Sequence, residues 1–254
     1  RRQYEIQNRQ FADMKPDARL AEYLDRMTFI NKDGDVCEFT ALQKHDLNLV
    51  LQKRHALLNW QQGSGKTAAV YHRARYLLKF RKVRNAIILA PAIATNMTWI
   101  PFLSINREKF RVVRSNTDME TVPEGVFLVI STSMLGKLKR GVARFVKHSS
   151  RKLCLVFDES DEITNPSSQR TRHILSLFRR LKYKILDTGT TTRNNIAELY
   201  SQFELLYNNS INMICWSDRV YHENRDKEIE EENNPRYGEP FPAFRGHVLF
   251  RACH

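Results

Sequence analysis

From about residue 41 onward, short apolar runs alternate with segments of helical periodicity. The apolar runs predict strands at Ala56–Asn59, Ala86–Ala90, Arg111–Val113, Phe127–Ser131, Leu153–Phe157 and Lys184–Leu186. Several are continuously apolar, which is typical of parallel strands buried on both faces. The segments between them are long enough for crossover helices, and apolar residues at helical spacing predict one over Thr67–Phe80. The pattern therefore predicts an α/β fold in which a mostly parallel sheet lies between helices.

The N-terminal part of the chain lacks this alternation. Asp17 is placed to cap a short helix over Ala18–Met27. Residues 31–35 read Asn-Lys-Asp-Gly-Asp, a turn sequence typical of a hairpin tip. We therefore expect residues 1–40 to form a small extension made of a helix and a hairpin.

The C-terminal part also departs from the alternation. Past Leu206 the periodicity fades, residues 223–234 are dominated by charge, and three prolines follow closely. We expect one domain over residues 41–207 and an insertion or a linker over residues 208–254. Because the chain does not begin with Met and stops abruptly at Ala-Cys-His, we expect it to be a piece of a longer protein.

Composition and charge narrow the choice of partner. The 254 residues are 42% hydrophobic and 27% charged, an ordinary globular composition. No apolar run approaches the length of about 18 residues that a membrane helix needs, and the first residues lack the apolar core of a secretory signal. Lys and Arg number 41 against 28 Asp and Glu, a net charge of +13. This excess favours a polyanionic partner, with nucleic acid first and an acidic membrane surface second, over a role in solubility alone.

The cysteines give information about the cellular compartment. The chain has four, and no pair has the spacing of a zinc ribbon or a redox motif. A metal set built from Cys215, His222, Cys253 and His254 matches no standard site. We therefore expect a reducing compartment and an intracellular protein, cytoplasmic if it is bacterial.

The first segment with a chemical signature is residues 63–67, which read Gly-Ser-Gly-Lys-Thr between a predicted strand and a predicted helix. Glycines let a backbone wrap a phosphate, and the amide hydrogens at a helix N-terminus favour negative charge. In such a loop Lys66 can reach the β- and γ-phosphates, and the Thr67 hydroxyl can bind Mg²⁺. Trp60 stands where the strict pattern has a glycine, but the flanking strand and helix favour a phosphate loop over a simple glycine-rich turn.

An acidic pair follows one of the most apolar runs. Residues 155–159 read Leu-Val-Phe-Asp-Glu, so an apolar strand brings Asp158 and Glu159 to the carboxyl edge of the sheet. In a phosphate-loop protein the first acid holds Mg²⁺ and the second can orient the attacking water. Such a pair alone is usually a polar loop, but a phosphate loop about 90 residues upstream favours a nucleotide site.

A family resemblance adds to these motifs. Residues 158–168 resemble the Asp-Glu-x-His/Asp box of superfamily-two helicases, and their continuation Ile-x-Asn-Pro-Ser-Ser is similar, more narrowly, to the Swi/Snf-type DNA translocases. Further segments match in order and spacing, namely residues 88–92 with Trp99 for motif Ia, residues 128–135 for motif Ib, and residues 188–195 with 198–200 for motif III. The resemblance covers residues 40–207.

The resemblance implies the first RecA-like lobe of a two-lobed, phosphate-loop motor that uses ATP and Mg²⁺ to move along double-stranded DNA, with no membrane involved. It implies catalytic roles for Glu159, Asp158 and Lys66, Mg²⁺ binding by Thr67 and Asp158, and coupling roles for Thr188, Gly189 and Thr190. The nucleotide-binding candidates are Gly63, Ser64, Gly65, Lys66, Thr67, Asp46 and Gln43. The second lobe of the parent chain, which carries the arginine finger, is not in this sequence, so we expect this fragment to bind nucleotide better than it hydrolyses it.

The sequence departs from the family pattern at several positions. Where the family has a Gln that reads adenine, this chain has Asp46, and Gln43 is the alternative if the alignment shifts. A carboxylate can accept a hydrogen bond from the adenine amino group but cannot donate one to the ring nitrogen. Trp60 replaces an Asp or Ala, Asp161 replaces a His, and Thr191 replaces a Pro. Because Asp46 stands in the place of the Gln that reads adenine, we expect weak selectivity for adenine.

The basic residues near the motif Ib segment suggest where nucleic acid binds. The candidates are Ser131, Thr132, Lys137, Lys139 and Arg140, and Arg144, Lys147, Arg151 and Lys152 continue the basic run. A nucleic-acid track is favoured there over a solvated helix face. A second basic stretch over residues 72–84 is interpreted as a solvated face. Trp99 either stacks near the nucleic acid or anchors its own helix.

Two other functions remain as alternatives. One is a different superfamily-two motor, such as a restriction-type translocase or an RNA helicase. The other is a module that binds nucleotide and DNA without hydrolysis. The presence of Lys66, Thr67, Asp158 and Glu159 argues against a loss of hydrolysis.

Overall fold

The computed structural model describes residues 13–149, 152–165, 167–189 and 199–207. Within these ranges a two-stranded ribbon precedes a six-stranded sheet. The strands are β1 (Thr28–Ile30), β2 (Val36–Glu38), β3 (His55–Asn59), β4 (Asn85–Ala90), β5 (Phe110–Val112), β6 (Phe127–Ser131), β7 (Leu153–Phe157) and β8 (Tyr183–Thr188). Each predicted strand is present, and no strand end differs from its prediction by more than two residues.

The parallel pairing of the strands places their C-terminal ends at the same edge of the sheet. In the sheet they lie as β3-β8-β7-β4-β6-β5, and every neighbouring pair is parallel. All six strands therefore end at one edge, called the carboxyl edge below. β8 continues two residues past its predicted end because Asp187 and Thr188 stay paired with Leu58 and Asn59 of β3. The predicted α/β class is confirmed.

The helices connect these strands in crossover positions. They are α1 (Ala18–Asp25), α2 (Ala41–Gln52), α3 (Lys66–Lys79), α4 (Ala92–Ala94), α5 (Ile100–Ile105), α6 (Leu135–Ser149), α7 (Gln169–Phe178) and α8 (Leu199–Leu206). A π-helical turn, Thr95–Trp99, joins α4 to α5, and 3₁₀ turns cover Asn116–Met119, Thr132–Met134 and Ser160–Ile163. The predicted helix after the glycine-rich segment is α3, displaced by one residue at each end.

Two apolar cores cover the faces of the sheet. The first lies between the sheet and α2, α3 and α5, and it includes Val70 and Ile88. The second lies between the sheet and α6, α7 and α8, and it includes Val142, Ile174 and Phe203. Because helices cover both faces of the sheet, the polar side chains that are candidates for chemistry lie at the carboxyl edge. None of the described helices has the length and apolar character needed to cross a membrane.

The N-terminal extension packs onto the first core. Asp17 caps α1 as predicted, since its Oδ1 accepts from two amides of the first turn. Residues 31–35 form the turn between β1 and β2, where Gly34 has a φ of +92°. Ile30 and Asn106 exchange two hydrogen bonds of 2.9 and 3.0 Å, which fix the ribbon to the end of α5. The expected domain boundaries stay predictions.

Candidate functional site

The loop between β3 and α3 has the backbone of a phosphate-binding loop. Gly63 and Gly65 have φ values of +78° and +81°, a left-handed conformation that favours glycine. α3 begins at Lys66, and no side chain caps its first turn. The first amides of a helix have no partner within the helix, so those of α3 are oriented to bind an anion at the carboxyl edge.

Lys66 extends over this loop. Its Nζ donates to the carbonyl oxygen of Trp60 at 3.1 Å. A Cβ added to Gly189, just after β8, would lie 3.2 Å from Lys66 Nζ and 3.3 Å from Gln62 Cγ. The ammonium group therefore lies between the loop and the end of β8, where it can contact a phosphate held by the loop. Thr67 follows in the first turn of α3.

Asp158 directly follows β7 and is held in one orientation. Its carboxyl group is buried, and Oδ2 accepts from Trp99 Nε1 at 2.7 Å. Its backbone N–H donates to the carbonyl oxygen of Leu89 at 2.9 Å. Trp99 is fully buried, so its indole anchors the carboxylate and presents no face to a nucleic acid. Of the two alternatives for Trp99, stacking on nucleic acid is wrong.

Glu159 has a strained backbone and a shifted pKa. Its φ of +51° and ψ of +56° lie in the left-handed region, which costs about 1–3 kcal/mol for a residue other than glycine. Burial raises the pKa of the Glu159 carboxyl, the Asp158 carboxylate raises it further, and Lys66 opposes the rise. A raised pKa makes a carboxylate a better base, so Glu159 suits the orientation and polarisation of a water molecule.

Two buried hydrogen bonds connect the acidic segment to later parts of the chain. Thr188 Oγ1, at the end of β8, donates to Asp161 Oδ1 at 3.3 Å. Ser160 Oγ donates to Gln202 Oε1 of α8 at 3.0 Å. The segments that resemble the acidic box and motif III are therefore in direct contact. Thr190, the third expected coupling residue, lies outside the described residues.

Asp187 is a buried acid that is not among the site residues predicted from the sequence. It is fully buried within β8, and neither carboxyl oxygen has a hydrogen-bond donor among the described residues. Burial raises the pKa of Asp187 well above its usual range, and the neighbouring Asp158 raises it further. The sequence feature that could have indicated this residue is its position, because Asp187 directly continues the apolar run that ends at Leu186.

The basic residues after β6 lie on one face of α6. Lys137, Lys139 and Arg140 are exposed, whereas Leu138 and Val142 pack into the second core. This amphipathic arrangement fits both interpretations of these basic residues, a nucleic-acid track and a solvated helix face. The net positive charge of the exposed face is what a track along phosphates requires.

The other expected nucleic-acid residues differ in exposure. Ser131 is partly exposed and shares a hydrogen bond of 2.8 Å with Ser133, while Thr132 is buried, which keeps its side chain away from the surface. A groove between α6 and α7 is lined by Lys139, Gln169, Arg172, His173 and Ser176. Arg172 and His173 were not among the predicted residues, because the sequence does not show that α7 lies beside α6.

Solved structures with a similar fold include an ATPase core and a helicase. The Sulfolobus solfataricus SWI2/SNF2 ATPase core in complex with dsDNA has a TM-score of 0.62 and 16% identity, covering 85% of this chain and 43% of that chain. The UvsW helicase from bacteriophage T4 has a TM-score of 0.53 and 16% identity, covering 76% of this chain and 67% of that chain. At such identities the likeness shows the fold alone.

Curated relatives are similar in sequence. The SWI/SNF-related matrix-associated actin-dependent regulator of chromatin subfamily A-like protein 1 of Xenopus laevis is 26% identical over 166 residues, 63% of this chain and 16% of that protein. The ATP-dependent helicase fft3 of Schizosaccharomyces pombe is 31% identical over 167 residues, 59% of this chain and 17% of that protein. The matched region spans less than a fifth of either relative. No protein-family profile matches the chain.

The chain is similar to Swi/Snf-type helicases in sequence and to a SWI2/SNF2 ATPase core in fold. The resemblance drawn from the motifs is confirmed by sequence relatives and by the fold.

The two residues expected to read the nucleobase both make hydrogen bonds to other parts of this chain. Gln43 Oε1 accepts from the Thr40 amide at 2.7 Å, and Gln43 Nε2 donates to the Ser64 carbonyl at 2.8 Å. Asp46 Oδ2 accepts from Trp60 Nε1 at 3.0 Å. Gln43 therefore supports the phosphate loop, and Trp60 occupies one oxygen of Asp46. The Thr-x-x-Gln spacing is a capping-box signature that would have indicated this role for Gln43.

The oxygen donors at the carboxyl edge suit Mg²⁺. Within the described ranges, no three His, Cys, Asp or Glu side chains are grouped to hold a metal ion. Mg²⁺ needs no such cage, because it binds one or two carboxylates together with waters and substrate phosphates. The Asp158 carboxylate and the Thr67 hydroxyl would supply oxygen ligands to such a cation. The buried Asp187 carboxyl, whose oxygens accept from no described donor, lies beside Asp158. The residues present therefore fit Mg²⁺ that arrives with a nucleotide.

Proposed function

We propose that this lobe binds ATP with Mg²⁺ at the carboxyl edge and, with a second RecA-like lobe, couples ATP hydrolysis to movement along duplex DNA inside the cell. The observation that carries the proposal is the convergence of Lys66, Asp158 and Glu159 beside the phosphate loop. A relative named as an ATP-dependent helicase and a structural neighbour solved with dsDNA support it. They favour it over an RNA helicase, a restriction-type translocase or a module without hydrolysis.

Each residue of the site has a separate role in this proposal. The loop amides of residues 63–67 and the Lys66 ammonium hold the β- and γ-phosphates. Thr67 and Asp158 hold the Mg²⁺ that neutralises phosphate charge when it is bound. Glu159 orients the attacking water and takes up its proton. Thr188, through Asp161, transmits changes at the acidic segment to β8.

The second lobe is needed for the chemical step. Lys66 contacts the phosphates in the ground state and in the transition state alike, so it lowers the barrier less than a group that binds only the transition state. An arginine finger of the second lobe would supply that group, and such fingers contribute about 10³–10⁵ in rate. We therefore propose that the 254-residue chain binds nucleotide and hydrolyses it only very slowly.

Nucleobase selectivity is expected to be weak, because Gln43 and one oxygen of Asp46 are already engaged. We expect ATP and GTP to compete for a fluorescent Mg²⁺–ADP analogue with affinities within about tenfold, or 1.4 kcal/mol, of each other. A preference for ATP well beyond tenfold would show that another group reads the base.

DNA binding is expected to depend on the exposed basic face of α6. Lys139→Glu combined with Arg140→Glu should weaken binding to a duplex oligonucleotide by at least about tenfold and lower the salt slope of log K by about 2, since two phosphate contacts are lost. Fluorescence anisotropy at several salt concentrations measures both quantities. Binding should be independent of DNA sequence.

A matched double reversal serves as the control for this test. Lys79→Glu with Arg81→Glu makes the same change of charge in the other basic stretch, where both side chains are exposed. This variant should keep the salt slope of the wild type and lose little affinity. If both double variants weaken binding equally, or if neither does, the track does not lie on α6.

A further inference from the structure

The end of β8 carries an aspartate whose environment is unlike that of the other acids at the carboxyl edge. Asp187 is paired with Leu58 of β3, and its side chain is completely buried. Phe157 of β7 is paired with Leu186, so the next step in register places Asp158 opposite Asp187. Register partners in parallel strands project to the same face of the sheet. The two carboxyl groups therefore lie side by side below the phosphate loop.

The carboxyl group of Asp187 has no donor to compensate its burial. Asp158 accepts from Trp99 and Asp161 accepts from Thr188. Neither oxygen of Asp187 has such a donor among the described residues, and its hydrogen-bonding neighbour is the carboxyl group of Asp158. Burial of a carboxyl group that accepts no hydrogen bond from a donor is unfavourable. The Lys66 ammonium lowers the pKa of Asp187 but donates a hydrogen bond to Trp60.

An apolar residue would satisfy the packing at this position. Asp187 lies between Leu58 and the end of β7, and it follows Ile185 and Leu186, which face the two cores. Replacing a buried ionisable group by an apolar side chain of similar size is commonly neutral or stabilising. The carboxyl group is therefore not explained by the fold, and its place beside Asp158 points to a charge that arrives with the ligand.

We propose that Asp187 is a second carboxylate of the Mg²⁺ site, acting with Asp158 on the divalent cation that accompanies the nucleotide. This inference rests on the proposed function. Two carboxylates, one hydroxyl and the phosphate oxygens are a usual complement for Mg²⁺. Together the carboxylates of Asp158 and Asp187 balance the double charge of the cation, so the cation compensates the buried charge that no protein donor satisfies.

The test uses Mn²⁺ as a probe, because electron paramagnetic resonance counts the free ion. The full chain is titrated with Mn²⁺ in the presence of saturating ADP, and ADP affinity is measured separately in EDTA. Asp187→Asn should weaken Mn²⁺ binding by about tenfold, within the range known for groups that support a metal site. In EDTA the same variant should bind ADP as tightly as the wild type, because Asp187 acts on the nucleotide only through the cation.

Control variants separate a role at the metal from a general effect of charge. Asp161→Asn removes the same charge from a buried acid at the same edge and should change Mn²⁺ affinity by less than about threefold, because a charge outside the site acts only through a longer distance. Asp187→Leu should lose Mn²⁺ affinity as Asp187→Asn does. Both Asp187 variants should melt no lower than the wild type in EDTA, whereas a structural carboxyl would lower the melting temperature.

Each outcome decides the inference. If Asp158→Asn loses Mn²⁺ binding while Asp187→Asn keeps it, the inference is overturned and the proposed nucleotide site stands. Equal losses for Asp161→Asn and Asp187→Asn, or lower melting of both Asp187 variants, also overturn it. If the wild-type chain binds no Mn²⁺–ADP at all, the proposed function fails, and the inference fails with it.

Discussion

Glu159→Gln is expected to abolish ATP turnover while nucleotide binding survives. In a chain that carries both RecA-like lobes, loss of this base should lower the DNA-stimulated rate by about 10²–10⁴. The affinity for Mg²⁺–ATP should stay within about threefold of the wild type, because the amide of Gln keeps the size of the side chain and the phosphate contacts lie elsewhere. A coupled assay of phosphate release, with and without duplex DNA, measures the rate.

Two comparisons make this result specific. Glu162→Gln is the same substitution three residues further on, where the carboxylate lies 3.4 Å from Arg170, and it should keep most of the turnover. The 254-residue chain alone should show negligible turnover, and duplex DNA should not stimulate it. Robust DNA-stimulated hydrolysis by that chain, dependent on Glu159, would mean that the missing cation lies within it or comes from a second copy.

Lys66→Ala is expected to remove most nucleotide binding. The lysine ammonium lies over the phosphate loop and is the cation closest to the acidic pair in the site described above. Losing charge-assisted hydrogen bonds to two phosphates should weaken Mg²⁺–ADP binding about 100-fold, or about 2.7 kcal/mol. Titration calorimetry of the 254-residue chain measures the affinity directly.

The matched control for Lys66 lies at the other end of the same helix. Lys79→Ala removes one positive charge from the last turn of α3, where the ammonium lies 5.3 Å from the Tyr23 ring. It should leave ADP affinity within about threefold of the wild type. The helix places it about 20 Å from Lys66, and charges more than a Debye length of about 10 Å apart are largely screened. Equal affinities for the wild type and Lys66→Ala would overturn the assignment of the phosphate loop.

The sheet could be predicted from the sequence because its strands are buried on both faces. Runs such as the one ending at Phe157 are apolar without interruption, and burial of both faces is the physical reason. The predicted β8 ends two residues before the observed strand because Asp187 and Thr188 are polar. Those residues continue the strand since their backbones pair with β3, which no local pattern of polarity reveals.

The phosphate loop and the acidic pair could also be predicted, because each requires particular residue types next to a strand. The contacts and the backbone conformation that hold these residues in place could not be predicted. The hydrogen bond from Trp99 to Asp158 joins residues 59 positions apart, and the left-handed backbone of Glu159 is not encoded by its residue type. The role of Gln43 was predictable in part, since its capping box with Thr40 is a local pattern.

A crystal structure of the 254-residue chain with ADP and Mg²⁺ tests the central claim most directly. The expected result is a β-phosphate bound to the amides of residues 63–67, with Lys66 Nζ moved from the Trp60 carbonyl oxygen to a phosphate oxygen. The cation should lie beside the Thr67 hydroxyl and Asp158. A nucleotide bound at any other place, or Lys66 still donating to Trp60 with ADP bound, would contradict the assignment of this edge as the ATP site.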